Sequence, residues 1–263
     1  MFELRTRRAR LVLTVICAFL VVPFAVPLYT MVSGSLQGRG IGNYTAAIQL
    51  PGFWSYFRNS IVISLATIAI VYLLTMMSSF GFSKLRIRSK ELYFWLMMGA
   101  LTMPEVVLLT PLVMLASKTQ SAGTVWAVII PIAALQIPFT TLLTRSYVDG
   151  IPDSLFEAAR IDGAGTIRQF WNVLLPLAKP MGVAIVVLVL VNSWNAYLLP
   201  IVLLGNGEAD QVVTQLPMSF KTRYTDDQPK ILAGATLAAL PEIIAYISLQ
   251  RHFERGMAAG AIK

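Results

Sequence analysis

The chain has 263 residues, 56% of them hydrophobic and only 13% charged, with a mean hydropathy of +0.69. Soluble domains carry nearer a quarter charged residues, so this composition indicates a membrane protein. A net charge of +8 raises the question of nucleic acid, while one cysteine (Cys17) excludes an internal disulfide and one histidine (His252) excludes a multi-histidine metal site. Cys17 lies in an apolar run and reads as a buried structural thiol.

Crossing the hydrocarbon core takes about twenty apolar residues. Six runs qualify, at about 11–33, 58–82, 92–116, 122–144, 181–204 and 231–249. In lipid each is expected to be helical, because no water is present to satisfy the backbone. The first follows "RTRRAR" directly, as a signal peptide would, but its far end offers only a weak cleavage site and an uncleaved helix is expected.

Orientation follows from where Lys and Arg fall. With the N-terminus inside, the inner segments hold 15 of the 21 basic residues and the outer ones hold six (Arg39, Arg58, Lys118, Lys221, Arg223 and Lys230). Both termini are then cytoplasmic. The positive excess is accounted for as a topology signal, and no nucleic-acid partner is required.

Between the fourth and fifth spans lies "IPDSLFEAARIDGAGTIRQFWNVLLPLAKP", residues 151–180, the one long amphipathic stretch. Ser154 through Glu157 has the form of a capping box with Ser154 as N-cap, and Gly163 stands where a left-handed stop would end the helix. Thr166 through Gln169 repeats the box and opens a second helix that Pro176 and Pro180 carry into the fifth span. Helix capping and a salt bridge to Arg160 are the expected roles of Glu157 and Asp162. Catalytic patterns are missing: "GAGTIR" has Arg168 where a dinucleotide fingerprint needs its third glycine, and there is no phosphate loop, HExxH or GxSxG. No catalytic residue, metal site or cofactor is expected in this chain.

"EAARIDGAGTIRQFWNVLLPLAKP" resembles the EAA motif of ATP-binding-cassette (ABC) importer permeases, with Glu157, Ala158, Ala159, Asp162, Gly163, Ala164, Phe170, Leu175, Pro176 and Pro180 in place. The resemblance implies a type I ABC importer permease fold, all-α with six transmembrane helices, built as a single domain over residues 1–263. It also implies that the segment at about 149–180 is a coupling helix docked on an ATP-binding subunit through Ser154, Glu157, Ala158, Ala159, Arg160, Asp162, Gly163 and Ala164. The bland alternative is an amphipathic helix lying on lipid headgroups.

Three further stretches are similar to the carbohydrate-uptake branch, specifically the smaller permease of maltose-transporter-like systems. They are "NSIVISLATIAIVYLLTMMSSFGFSKLRIRSKE" from Asn59, "NSWNAYLLPIVLL" from Asn192, and the closing "LAALPEIIAYISLQRHFERGMAAGAIK". Ala196 departs from the acidic residue that the branch commonly has after the Asn of the Trp-Asn pair, here Asn195. The resemblance further implies that the tail at about 250–263 contacts ATP-binding subunits through Gln250, Arg251, Arg255, Gly256 and Lys263; a basic tail on anionic lipid is the alternative. The implied partners are a second permease, two ATP-binding subunits holding ATP and magnesium, an extracytoplasmic solute-binding protein, and the lipid of a bacterial or archaeal cell membrane. Oligosaccharides, monosaccharides and glycerol phosphates all occur as cargo among relatives.

Polar groups at membrane depth usually face a bundle interior or cavity. Asn59, Glu105, Gln136, Asn192, Asn195, Tyr197 and Glu242 are the candidates for a translocation path, with Trp194 either an aromatic sugar platform or a lipid-interface anchor. Glu105, Gln136 and Glu242 each lie beside a proline, so repair of a helix kink is the competing role. The outer segment 205–230 reads as either a loop reaching a binding protein or a solvated linker. A self-contained secondary transporter driven by ions through Glu105 and Glu242 is the rival function, although the two halves show no persuasive internal repeat.

Overall fold

Apolar stretches of this length leave the backbone no partner but itself. The computed structural model describes residues 7–205, 211–221 and 226–261, with side chains for 11–205, 211–221 and 226–250. Its helices are α1 (Arg7–Ser35), α2 (Gly42–Ile48), α3 (Phe53–Lys84), α4 (Lys90–Gly99), α5 (Glu105–Lys118), α6 (Val125–Asp149), α7 (Asp153–Ile161), α8 (Thr166–Gln169), α9 (Leu175–Leu177), α10 (Lys179–Trp194), α11 (Leu198–Leu203) and α12 (Gln228–Ala261). Tighter turns occupy Ala100–Thr102 and Val213–Phe220, and a π-helical turn occupies Phe170–Leu174. Among the described residues the only bridge of β type joins Lys221 and Asp226.

Four helices are long and apolar enough to cross a membrane alone: Leu11–Ser35, Phe53–Lys84, Val125–Asp149 and Gln228–Gln250. Two further spans exist only as bent pairs. The run expected as one helix at 92–116 breaks at Met103-Pro104 and turns by 100° between Lys90–Thr102 and Glu105–Lys118. Met103 and Pro104 are both extended, since the residue before a proline is pushed out of the helical region. The run at 181–204 is likewise two pieces: α10 ends at Trp194 and α11 begins at Leu198. Toward its start, α10 forms a 78° bend with Thr166–Leu177. Prolines 131 and 138 in α6 and Pro241 in α12, by contrast, stay inside continuous helices.

The chain divides into two compact units, one of residues 1–53 and 216–239, the other of 54–215 and 240–263. In the first, Asn43 Nδ2 donates to the carbonyls of Ser35 and Gln37, tying α2 back to the end of α1. The apolar window of α1 is unburied, and Cys17 is exposed, which overturns the buried-thiol expectation. An all-round apolar helix offers no preferred inner face to its own chain.

The second unit holds two apolar clusters. One gathers Phe80, Val148, Phe156, Phe170, Leu174 and Ile185; the other gathers Ile63, Val128, Ile129, Ile132, Leu199 and Leu203. Between α3 and α6 runs a ladder of small hydroxyls, with Thr75 Oγ1 2.8 Å from Thr140 Oγ1 and Ser78 Oγ 3.0 Å from Thr141 Oγ1. Small polar residues of this kind let membrane helices approach and bond across their seam. Gly182 plays the steric counterpart, because a Cβ there would lie 2.9 Å from the Tyr72 ring. Gly182→Val is therefore expected to cost about 1–3 kcal/mol by overpacking. Gly99→Ala, at a position where a Cβ meets nothing within 4 Å, is expected to stay within about 0.5 kcal/mol of wild type. Thermal unfolding of both variants in detergent checks the contrast.

Candidate functional site

The amphipathic segment after α6 begins at Pro152, which is extended and leads directly into α7. Helix α7 starts at Asp153, one residue before the expected N-cap, and no side chain caps it. The capping box at Ser154–Glu157 does not form. Its place is taken by a contact the local pattern cannot show: Lys84, at the end of α3, bonds the Ile151 carbonyl and the Asp153 carboxylate, both at 2.7 Å. Asp153 in the first turn and Arg160 in the last suit the helix dipole. No salt bridge joins Glu157 or Asp162 to Arg160 among the described residues.

The far end of α7 closes as the sequence suggests. Gly163 has φ +80°, Ala164 N–H donates to the Ala159 carbonyl at 2.8 Å, and Gly163 N–H donates to that of Arg160 at 3.0 Å. This is the Schellman arrangement, with glycine at the left-handed position. The second capping box also fails: Gln169 Nε2 instead donates to the Ala164 carbonyl at 2.8 Å, fastening the connecting turn.

Phe156 is the one buried side chain of α7. Phe156 is 2% exposed and packs on Phe80, with ring centroids 6.0 Å apart and the Lys84 ammonium 5.3 Å from its own ring. Phe170 meets the other side of this contact, 5.8 Å from Phe80. Burying a phenylalanine contributes about 1.5–3 kcal/mol, ample to hold a nine-residue helix in place. The opposite face is left free: Glu157, Ala158, Arg160 and Asp162 are exposed, Ala159 is half-buried, and Ile161 is 87% exposed.

The second region is a cavity of about 580 Å³ between α5, α6, α10 and α11. It brings together five of the seven path candidates: Glu105, Gln136, Asn192, Asn195 and Tyr197. Glu242 lies one bond away, its carboxylate accepting from Asn195 Nδ2 at 2.7 Å. Asn59 is elsewhere, buried and donating to the Gln211 carbonyl at 3.0 Å. Trp194 is 5% exposed and does not line the cavity, so neither role expected for it holds; Phe139 and Tyr197 supply the aromatic faces. Kink repair describes Asn195, whose amide also bonds the Val191 carbonyl at the end of α10. It does not describe Gln136, whose Nε2 is buried and has no partner.

A family model described as "Binding-protein-dependent transport system inner membrane component" matches residues 3–259. The chain belongs to this family. Among relatives, it is 32% identical over 212 residues to the probable ABC transporter permease protein YurM of Bacillus subtilis, covering 81% of this chain and 70% of that one. It is 31% identical over 211 residues to the arabinooligosaccharides transport system permease protein AraQ of Halalkalibacterium halodurans (80% and 75%). It is 29% identical over 219 residues to the sn-glycerol-3-phosphate transport system permease protein UgpE of Yersinia enterocolitica (83% and 75%). The fold matches a crystal structure of a bacterial ABC transporter involved in the import of the acidic polysaccharide alginate, with a TM-score of 0.77 over 95% of this chain and 99% of that one at 21% identity.

The permease is thus a multi-pass transport subunit of the bacterial inner membrane with an ABC importer permease fold, and the ion-driven alternative gives way. Among its described residues no group of three His, Cys, Asp or Glu is placed to hold a metal. The tail continues α12 as helix to Ala261, and the side chains of Arg251, Arg255 and Lys263 and the setting of Gly256 lie outside the described residues; Gln250 is half-buried. In the segment at 205–230, Val212 and Val213 are buried, and Val213 N–H donates to Ser60 Oγ at 2.9 Å, so this described part is not a solvated linker.

Sequence reasoning missed Lys84 and Phe156 as positioning residues of the permease. Their signal was present only as a basic residue closing a span and an aromatic inside a polar helix. The Lys84 hydrogen bond, and then its charge, holds the Asp153 carboxyl below the ordinary carboxylate range. A carboxylate with a lowered folded value stabilises the fold above its unfolded value, and that contribution is lost as pH falls through the lowered one. Titrating Asp153 by carboxylate-labelled NMR should therefore give a depressed midpoint in the wild type that returns to the ordinary range in Lys84→Met.

Proposed function

We propose that this chain, a single permease domain over residues 1–263 with both termini cytoplasmic, forms half of the translocation pore of an ATP-driven, binding-protein-dependent importer of sugars or related solutes. Its partners in this reading are a second permease, two ATP-binding subunits carrying ATP and magnesium, and an extracytoplasmic solute-binding protein. The observation that carries the reading is the face of α7: a helix pinned from within by Phe156 and Lys84, stopped at Gly163, and presenting Glu157, Ala158, Arg160 and Ile161 outward. Ser154, Ala159, Asp162 and Ala164 complete the docking surface. The chain has no phosphate loop, so nucleotide chemistry belongs to the partner on which this face docks.

The cargo class is supported by relatives whose names specify arabinooligosaccharides and sn-glycerol-3-phosphate. A partner outside the membrane is supported by a second structure of the same fold, at TM-score 0.68 and 16% identity, in which the alginate transporter is in complex with an alginate pentasaccharide-bound periplasmic protein. Gln250, Arg251, Arg255, Gly256 and Lys263 extend the ATP-binding-subunit contact along the tail. The cavity residues Glu105, Gln136, Asn192, Asn195 and Tyr197, with Glu242 behind Asn195, form this subunit's share of the path, and Asn59 has a supporting place away from it.

Movement follows from a two-state equilibrium biased by the partner's nucleotide. Closure of the ATP-binding subunits displaces α7, and because α7 is fixed to α3 the spans move with it. Glu157→Lys reverses a charge on the docking face, and Gly163→Pro forbids the positive φ of the helix stop. Both are expected to abolish uptake and coupled ATP hydrolysis, by at least about 100-fold, while membrane insertion is unchanged. Normal ATP turnover stimulated by the loaded binding protein in both purified variant complexes would contradict the assignment.

A further inference from the structure

We propose that Arg145 is a positioning residue of the transport cycle. Its guanidinium clasps the start of α4 to the end of α6, so that the bent α4–α5 pair moves with α6 when α7 is displaced. This inference rests on the transport reading above and adds the connection by which the α5 wall of the cavity is reached.

Arg145 lies in the last two turns of α6, and its side chain is only 17% exposed. A charge withdrawn that far from water is costly unless it is paired. Its Nη1 and Nη2 donate to the two carboxylate oxygens of Glu91, at 3.1 and 2.5 Å, and its Nε lies 3.8 Å from the Asp149 carboxylate. The face of the same group stands over Phe94, 4.2 Å from the ring centroid, with the Phe82 ring at 5.9 Å. Phe82 and Phe94 meet edge to face at 5.5 Å. Three helices therefore converge here: α3 through Phe82, α4 through Glu91 and Phe94, and α6 through Arg145 itself. Only a planar fork can use its edge for a carboxylate and its face for an aromatic ring at once. An interfacial arginine reaching for lipid phosphate would extend outward, whereas this one is folded in and its edge is occupied.

The clasp matters because α4 is otherwise lightly held. Phe94 and Met98 are its buried residues, while Leu92, Tyr93, Trp95 and Leu96 are all exposed. Apolar contact is non-directional and leaves the position of α4 along α6 loosely set. The bidentate pair sets it. Neighbouring bonds join the clasp to α7: Ser83 Oγ donates to the Arg145 carbonyl at 3.5 Å, and the next residue, Lys84, holds Asp153. At the far end of the bent pair, α5 opens with Glu105 in the cavity wall. Helices α6 and α10 adjoin the α7 segment in the chain, and α5 does not. Helix α4, held by Arg145, supplies that link.

The test is double electron–electron resonance on the assembled complex in lipid nanodiscs, with genetically encoded spin labels at Leu96 of α4 and Leu142 of α6, both exposed. The wild type is expected to give one distance, the same without nucleotide and after trapping with ATP and vanadate. Arg145→Met is expected to give distances that differ between the two states. Arg145→Lys, which keeps the charge and loses the fork, is expected to behave like Arg145→Met. Glu91→Gln changes an exposed side chain, leaves folding intact, and is expected to show the same separation in weaker form. ATP turnover in the presence of the cognate binding protein should fall about fivefold or more in Arg145→Met. A role in stability alone would lower the unfolding temperature and leave the distance independent of nucleotide. A wild-type distance that changes with nucleotide, or state-independent distances in both Arg145→Lys and Glu91→Gln, would overturn the inference. Glu157→Lys, measured alongside, tests the transport reading separately: normal ATP turnover there removes α7 as the input without touching the clasp.

Discussion

Everything in this chain follows from the cost of an unsatisfied backbone group in hydrocarbon. A helix satisfies its own, so apolar runs become helices, and wherever a helix is interrupted at membrane depth something else must supply the missing bonds. Two interruptions, at Met103-Pro104 and at Asn195–Tyr197, both border the same cavity. At the second, the repairs are visible: Asn195 Nδ2 bonds the Val191 carbonyl, and Thr214 Oγ1 donates to the Ala196 carbonyl at 2.8 Å. Irregular backbone is tolerated here because polar side chains stand beside it to supply the missing bonds.

The same helices that border the cavity lead to α7. Helix α6 lines the cavity with Gln136 and Phe139 and is followed, after a short turn, by α7. Helix α10 contributes Asn192 near its end and begins directly after the stretch that carries Phe170. The hydroxyl ladder joins α6 to α3, and α3 ends at the Lys84 that grips α7. A displacement of α7 therefore has stiff elements to act on, because packed interiors shift as bodies and do not deform continuously.

The number and placement of the apolar runs were legible, and so was the glycine stop of α7, because each depends on residues within a few positions of one another. Hydropathy averages over a window and carries no direction. It therefore read 92–116 and 181–204 as straight spans although a 100° bend and a three-residue gap divide them. Prolines did not help locate the breaks, since Pro131, Pro138 and Pro241 sit within helices while Pro104 ends one. Ser154 looked like an N-cap because capping is a local pattern. The start of α7 is set instead by Lys84, 69 positions from Asp153. Five of the seven polar candidates line one cavity, but which of the candidates were already bonded depended on tertiary neighbours: Asn59 and Asn195 have partners, and Gln136 Nε2 has none.

The central claim is that the exposed face of α7 is where another subunit's nucleotide chemistry enters this chain. Ile161, 87% exposed at the end of that helix, is the place to ask. With a benzophenone amino acid installed at position 161 in the complete complex in native membranes, irradiation should crosslink this chain to the ATP-binding subunit, with a yield that changes when ATP is trapped by vanadate. Crosslinking only to lipid, or none to the ATP-binding subunit in a complex shown to be intact, would contradict the account.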